Sequence, residues 1–306
     1  MRNLVALEPK QIPAYVEAIE GSGANCVPMS SEVEALVWTD YARPDLLVET
    51  LKSNPQLKWV QLPFAGVDAF SHILQHPVTF TSAKRSYSEP VAEHALMLAM
   101  ALGRVIPQRV KALSWGKKFA ASLYDEQVLI VGGGGIAQEL VKLLAPFRAK
   151  VSVVRRRTTE SFETHGIATV LPFESLDEEL SKSKFVFLAC ALTDETRWLF
   201  DARRFGFMRT DSYLVNIARG QVIDQDALLA ALDAGQIAGA GIDVAYPEPL
   251  PDGHPLFGRD DLIVTPHTAD TGEIVQRLFA ERLRVNVSAW LQDAPLTGVV
   301  DAELGY

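Results

Sequence analysis

The sequence predicts an α/β protein of two parallel-sheet lobes, one inserted into the other. Three observations lead there. Short apolar, β-branched runs alternate with helical patterns along the chain, which is the signature of βαβ units. A second alternating series begins at a run of four glycines near the middle. The length of 306 residues suits two cores, because a single core stops growing near about 250–300 residues.

In the first series, strands are expected at 4–7, 35–38, 59–62 and 79–82. The opening stretch reads as a strand and then a helix. It is a poor signal peptide, because Glu8, Lys10 and Gln11 interrupt its apolar run. A helix at 45–53 follows Pro44, a residue suited to the first helical turn. Residues 90–110 read as one long helix. Its apolar positions nearly surround it, so it is expected to lie buried between the lobes. The second series places strands at 128–131, 151–154, 185–189, 213–217, 239–244 and 262–264. Its helices include 136–144 and 225–234, the latter with Asp224 as its N-cap. A closing helix spans 272–291. The inserted lobe is thus 95–271, and the outer lobe is 1–94 with 272–306. No short repeat or low-complexity tract is seen.

Bulk chemistry narrows the partners. Hydrophobic residues make up 48% and charged residues 22% of the chain, an ordinary globular balance. A net charge of −9 argues against a nucleic-acid or anionic-membrane binder, which wants a basic face. A local group of arginines could still take a small anion. The two cysteines, Cys26 and Cys190, are far apart and lack metal-ligand or CxxC spacing. No disulfide framework and no metal site are expected, and a reducing, cytoplasmic setting is. No apolar run approaches the roughly 20 residues of a membrane span.

The strongest local motif is VLIVGGGGIA at 128–137. Gly132, Gly134 and Ala137 fit G-x-G-x-x-G/A between a strand and a helix, the fingerprint of a Rossmann-like dinucleotide-binding lobe. The first glycine permits the turn, and the second lets backbone approach a pyrophosphate. The third small residue allows close helix packing. Gly135 and Ile136 open the helix, whose free N–H groups face the phosphates. The bland alternative is a glycine-rich turn without a ligand. The next strand ends in Arg155, Arg156 and Arg157, where an NAD site would usually carry an acid for the ribose hydroxyls. Guanidinium groups suit a 2′-phosphate. NADP(H) is therefore preferred, with Arg155 first and Arg156 next, and NAD(H) remains possible. A solvated basic turn is the alternative.

Several further blocks follow in order: PVAEH at 90–94, ALTDET at 191–196, VNIARG at 215–220, GIDVAYPEPL at 241–250 and TPHT at 265–268. With the glycine loop, they make the chain resemble the D-isomer-specific 2-hydroxyacid dehydrogenases, and most the glyoxylate/hydroxypyruvate reductase group. The resemblance implies a flavodoxin-like substrate lobe around the dinucleotide lobe. It also implies reduction of a small 2-oxo acid to its D-2-hydroxy acid. Arg219 would bind the substrate carboxylate and polarise the 2-oxo group, and His267 would be the general acid. Glu248 would back the imidazole and raise its pKa. Asp243 would lie near the nicotinamide carboxamide. Ala65, Gly66 and Val67 would offer backbone N–H groups to the carboxylate. Asn216 and Ala218 would neighbour the cofactor mainly through backbone, with no side-chain role assigned, and Glu93 and His94 would be structural. A homodimer is implied, with 104–126 as its arm.

Some positions depart from the family pattern. Ala137 replaces a glycine, Ala191 a frequent proline and Ile217 a frequent threonine. Two other readings stay open: a non-catalytic NAD(P)-sensing interaction protein on the same fold, and an NAD-linked phosphoglycerate dehydrogenase-like enzyme.

Overall fold

The computed structural model describes residues 3–159 and 161–303. The chain divides into two compact units, one from Ser88 to Ala269 and one built from the chain on either side of it. Both expected sheets are present, and their strand pairs are parallel throughout.

The outer unit holds strands β1 (Leu4–Glu8), β2 (Asn25–Val27), β3 (Ala35–Trp38), β4 (Trp59–Gln61) and β5 (Thr79–Thr81), ordered β2-β1-β3-β4-β5. That is the flavodoxin-like order. Helix α1 (Pro13–Glu20) packs on the C-terminal helix Gly272–Leu291, and helix α2 (Pro44–Ser53) buries Leu47 and Leu51. Proline at the first turn of both helices needs no N–H partner there. Strand β2 was not foreseen. It is three residues long with no fully buried position, so it lacks an apolar signature.

The inserted unit begins with helices α3 (Ser88–Gly103) and α4 (Ile106–Lys111). The expectation of one helix over 90–110 is thus corrected. Val105 adopts a left-handed φ of +50°, and Pro107 follows within the first turn of α4. Proline cannot continue the α3 hydrogen-bond ladder. The buried residues Ala92, Ala95, Leu98, Ala99 and Leu102 of α3 join this unit's own core. That packing sets the boundary at Ser88 rather than 95, and the far boundary falls at Ala269 rather than 271.

The second sheet contains β6 (Gln127–Val131), β7 (Lys150–Val154), β8 (Ala168–Leu171), β9 (Phe185–Leu188), β10 (Tyr213–Asn216), β11 (Gly239–Ile242) and β12 (Leu262–Val264). Their order is β12-β11-β10-β9-β6-β7-β8. Helix α5 (Gly135–Leu144) shares one apolar layer with α3. Helices α6 (Leu176–Lys182), α7 (Ala202–Phe205) and α8 (Gln225–Asp233) contribute to the other layer. Asp224 caps α8 as expected, accepting from the N–H groups of Asp226 and Ala227. Strand β8 and helices α6 and α7 were not foreseen. Each is short, and β8 has no fully buried residue to mark it.

The strand order reverses between β6 and β9. In such sheets, the carboxyl ends of the strands at the reversal open the crevice where ligands bind. The glycine loop leaves β6 at that point.

Candidate active site

The glycine loop is built by close approach. Gly132 has φ +109°, and its N–H donates to the Val154 carbonyl at 2.9 Å. A Cβ there would lie 2.5 Å from the Ala189 carbonyl oxygen at the end of β9. Only glycine satisfies both demands. Gly134 is the N-cap of α5, and an added Cβ there would meet nothing within 4 Å. The backbone therefore faces an open cradle. Gly135 and Ile136 begin the helix, no acidic side chain occupies its first turn, and Ala137 is fully buried. The first-turn N–H groups lack intrahelical acceptors, so the cradle suits a pyrophosphate.

Arg155 follows β7, and its backbone N–H donates to the Leu171 carbonyl at 3.0 Å. Its side chain is buried against the same loop, because a Cβ on Gly133 would sit 2.6 Å from Arg155 Cδ. The guanidinium lies 5.9 Å from the Phe162 ring centroid. Arg156 reaches Glu195 at 3.1 Å. The donor set beside the glycines is therefore cationic, which fits a dinucleotide carrying an extra phosphate.

The three expected catalytic residues all belong to the inserted unit. His267 lies beyond β12, and its Nδ1 is 2.6 Å from Glu248 Oε1. Glu248 lies in the loop that leaves β11. Its hydrogen bond raises the His267 pKa above the ordinary 6.5, with burial and Arg219 opposing. The same bond holds the Glu248 carboxyl below its ordinary value. Both shifts describe one ion pair. With Nδ1 committed to Glu248, Nε2 is left to exchange a proton.

Arg219 leaves β10 through a turn tied by Asn216. The Asn216 Nδ2 donates to the Arg219 carbonyl, and its Oδ1 accepts from the Ala218 N–H, each at 3.0 Å. Arg219 Nη1 donates to the Ala218 carbonyl at 2.8 Å. Gly220 then packs so tightly on the next loop that a Cβ would fall 2.0 Å from the Ala245 carbonyl. This contact docks the Arg219 turn on the loop bearing Glu248. Arg219 accordingly acts electrostatically on both His267 and Glu248.

The Asp243 side chain does more than the reading of the sequence assigned to it. It is 1% exposed, and its oxygens accept from Thr265 Oγ1 at 2.6 Å, Thr268 N at 2.9 Å and Ala269 N at 3.0 Å. It therefore organises the loop that carries His267. Asn216 also acts through its side chain, against the expectation, whereas the structural role expected of His94 fits the 3.0 Å contact of its Nε2 with Thr265 Oγ1. The only signal of the Asn216 role was a buried amide three residues before an arginine.

Ala65, Gly66 and Val67 lie in the outer unit, after β4. Ala65 is exposed and Val67 is buried at the start of a 3₁₀ turn over Asp68–Ile73. Among the described residues, no group of three metal-capable side chains occurs, and no helix is long and apolar enough to cross a membrane.

Comparison with known proteins identifies relatives over most of the chain. Residues 94–269 match the family model for the D-isomer specific 2-hydroxyacid dehydrogenase, NAD binding domain. The chain is 30% identical to a glyoxylate reductase of Pyrococcus furiosus, over 85% of this chain and 80% of that protein. It is 28% identical to the human glyoxylate reductase/hydroxypyruvate reductase, over 80% and 77%. A D-isomer specific 2-hydroxyacid dehydrogenase from Xanthobacter autotrophicus Py2, solved with NADPH and MES, superposes with a TM-score of 0.84 at 26% identity, covering 99% of each chain. The chain belongs to the NAD(P)-dependent D-isomer-specific 2-hydroxyacid dehydrogenases.

Proposed function

We propose that this enzyme is an NADPH-preferring reductase of a small 2-oxo acid, such as glyoxylate or hydroxypyruvate, and forms the D-2-hydroxy acid. The observation that carries the reading is the 2.6 Å contact between His267 and Glu248 in the unit that also holds Arg219. The glyoxylate and hydroxypyruvate reductases among its relatives support the substrate class. Arg219 offers paired donors to the substrate carboxylate and 2-oxo oxygen. For Ala65, Gly66 and Val67 of the outer unit, the family resemblance alone carries the reading that their backbone N–H groups serve the substrate carboxylate. The bound nicotinamide supplies a hydride for C2. His267 Nε2 delivers the proton to the oxygen, and Glu248 keeps the ring charged and oriented. Asp243, also expected beside the carboxamide, holds the loop in place. Arg155 and Arg156 support the preference for NADPH, because they border the glycine loop where an NAD site would carry an acid.

Two free cysteines fit a cytoplasmic setting. A homodimer is supported by the segment 104–126, where Leu113, Trp115 and Val110 stand 104%, 89% and 74% exposed. Apolar side chains so fully in water favour burial in a second copy.

Four outcomes test these statements. In assays of NADPH oxidation with glyoxylate or hydroxypyruvate, His267→Ala lowers kcat by about 10²–10⁴-fold. NADPH affinity, read by fluorescence titration, stays intact. Wild-type turnover in that variant would refute the proton-donor role.

Reduction needs protonated His267, so kcat/KM is highest below its raised pKa and falls as pH rises through it. Glu248→Gln removes the largest cause of the raise. The falling limb of the pH–rate profile then moves to lower pH; an unmoved limb contradicts the pairing.

Arg155→Ala raises KM for NADPH by about 10–100-fold, the worth of a charged hydrogen bond, and leaves KM for NADH little changed. Equal effects on both cofactors would count against the phosphate site. Sedimentation should give twice the 33.6 kDa chain mass. The double substitution Leu113→Glu, Trp115→Glu should return it to one chain; a monomeric wild type removes the dimer.

A further inference from the structure

We propose that His94 is a positioning residue for His267, acting through Thr265 and the Asp243 carboxylate. The inference rests on His267 being the proton donor.

His94 stands on α3 with its ring 15% exposed. Its Nε2 lies 3.0 Å from Thr265 Oγ1 and 3.3 Å from Asp243 Oδ1. Thr265 has one hydroxyl hydrogen, and it points to Asp243 Oδ1 at 2.6 Å. Thr265 Oγ1 can then only accept from His94. The proton of a neutral His94 must therefore sit on Nε2, where it serves both oxygens.

Downstream, a single carboxylate shapes the whole loop. Asp243 takes the N–H groups of Thr268 and Ala269, and its backbone carbonyl accepts the His267 N–H at 2.8 Å. His267 is held at φ +52°, a left-handed conformation uncommon for a non-glycine residue. The constraint is this hydrogen-bond set, and His94 anchors it to the sheet-packed helix α3. Removing the His94 donor leaves a buried carboxylate short of a partner and frees the Thr265 hydroxyl to rotate. The His267 ring then loses its alignment with Glu248. The charged groups acting on that ring are Glu248, Arg219 and Asp243.

The test uses the full-length enzyme with NADPH and a 2-oxo acid. His94→Leu should lower kcat on the order of 10²-fold, the effect of misplacing a reacting group by about 1 Å. The dissociation constant for NADPH and the KM for the oxo acid should change little. The falling limb of the pH–rate profile should move to lower pH. His94→Gln, which keeps an N–H donor at similar reach, should recover most of the loss. Thr265→Val removes the relay with little change in volume and should reproduce the His94→Leu result even where that variant folds poorly. Wild-type kcat and pH profile in folded His94→Leu would overturn the proposal, as would equal losses in the Leu and Gln variants. Wild-type turnover in His267→Ala would instead sink the proton-donor reading beneath it. An impaired His267→Ala beside an unaffected His94→Leu would sink the His94 link alone.

Discussion

The Asp243 side chain lies at a site that is 1% exposed. Burying a polar group is costly unless donors replace the lost water. Here the replacements are a threonine hydroxyl, two backbone N–H groups and a histidine ring. Three of the four come from residues 265–269, so satisfying the buried oxygens also dictates the path of the loop. His267 sits inside that path and inherits a backbone conformation it would not choose alone. The hydrogen-bonding need of a buried side chain thus sets the backbone at His267.

The same logic of close approach shapes the cofactor side. Gly132 abuts the end of β9, and Gly220 abuts the carbonyl of Ala245. In both places a loop from one strand end is pressed onto its neighbour at the carboxyl edge of the sheet. Glycine is required because backbone stands where a side chain would be. The result is a row of loops, from β6, β9, β10 and β11, locked to one another. Side chains mounted on such loops vary little in position, as a group that must meet a reacting atom requires.

Charge is arranged with equal economy in an acidic protein. Arg155 stands by the glycine loop, Arg156 pairs with Glu195, and Arg219 acts on His267 and Glu248. Arg219 pulls the pKa of both partners down, whereas Glu248 lifts that of His267. Glu248 is the largest cause lifting the His267 pKa, with Asp243 a smaller one, against burial and the nearby Arg219 guanidinium.

Much of this was legible in the order of residues. The alternation of apolar runs carried both sheets, because a strand buried on both faces must be apolar along its length. The glycine loop, the arginines after β7 and the blocks around Arg219, Glu248 and His267 were local in sequence. Other features depended on contacts distant in the chain. The break at Val105 and the start of the inserted unit at Ser88 follow from which core α3 joins. Strand β2 and strand β8 form because a neighbouring strand accepts them, with no buried pattern of their own. The partners of Asp243 lie 22 to 26 positions ahead in Thr265, Thr268 and Ala269, and His94 lies far before it. Hydrogen bonds of that reach leave no periodic trace, since they depend on where the folded backbone brings a donor. Residue type alone determined the chemistry available to this protein; only tertiary structure decided which donors gather around Asp243, because that depends on where the folded backbone brings them.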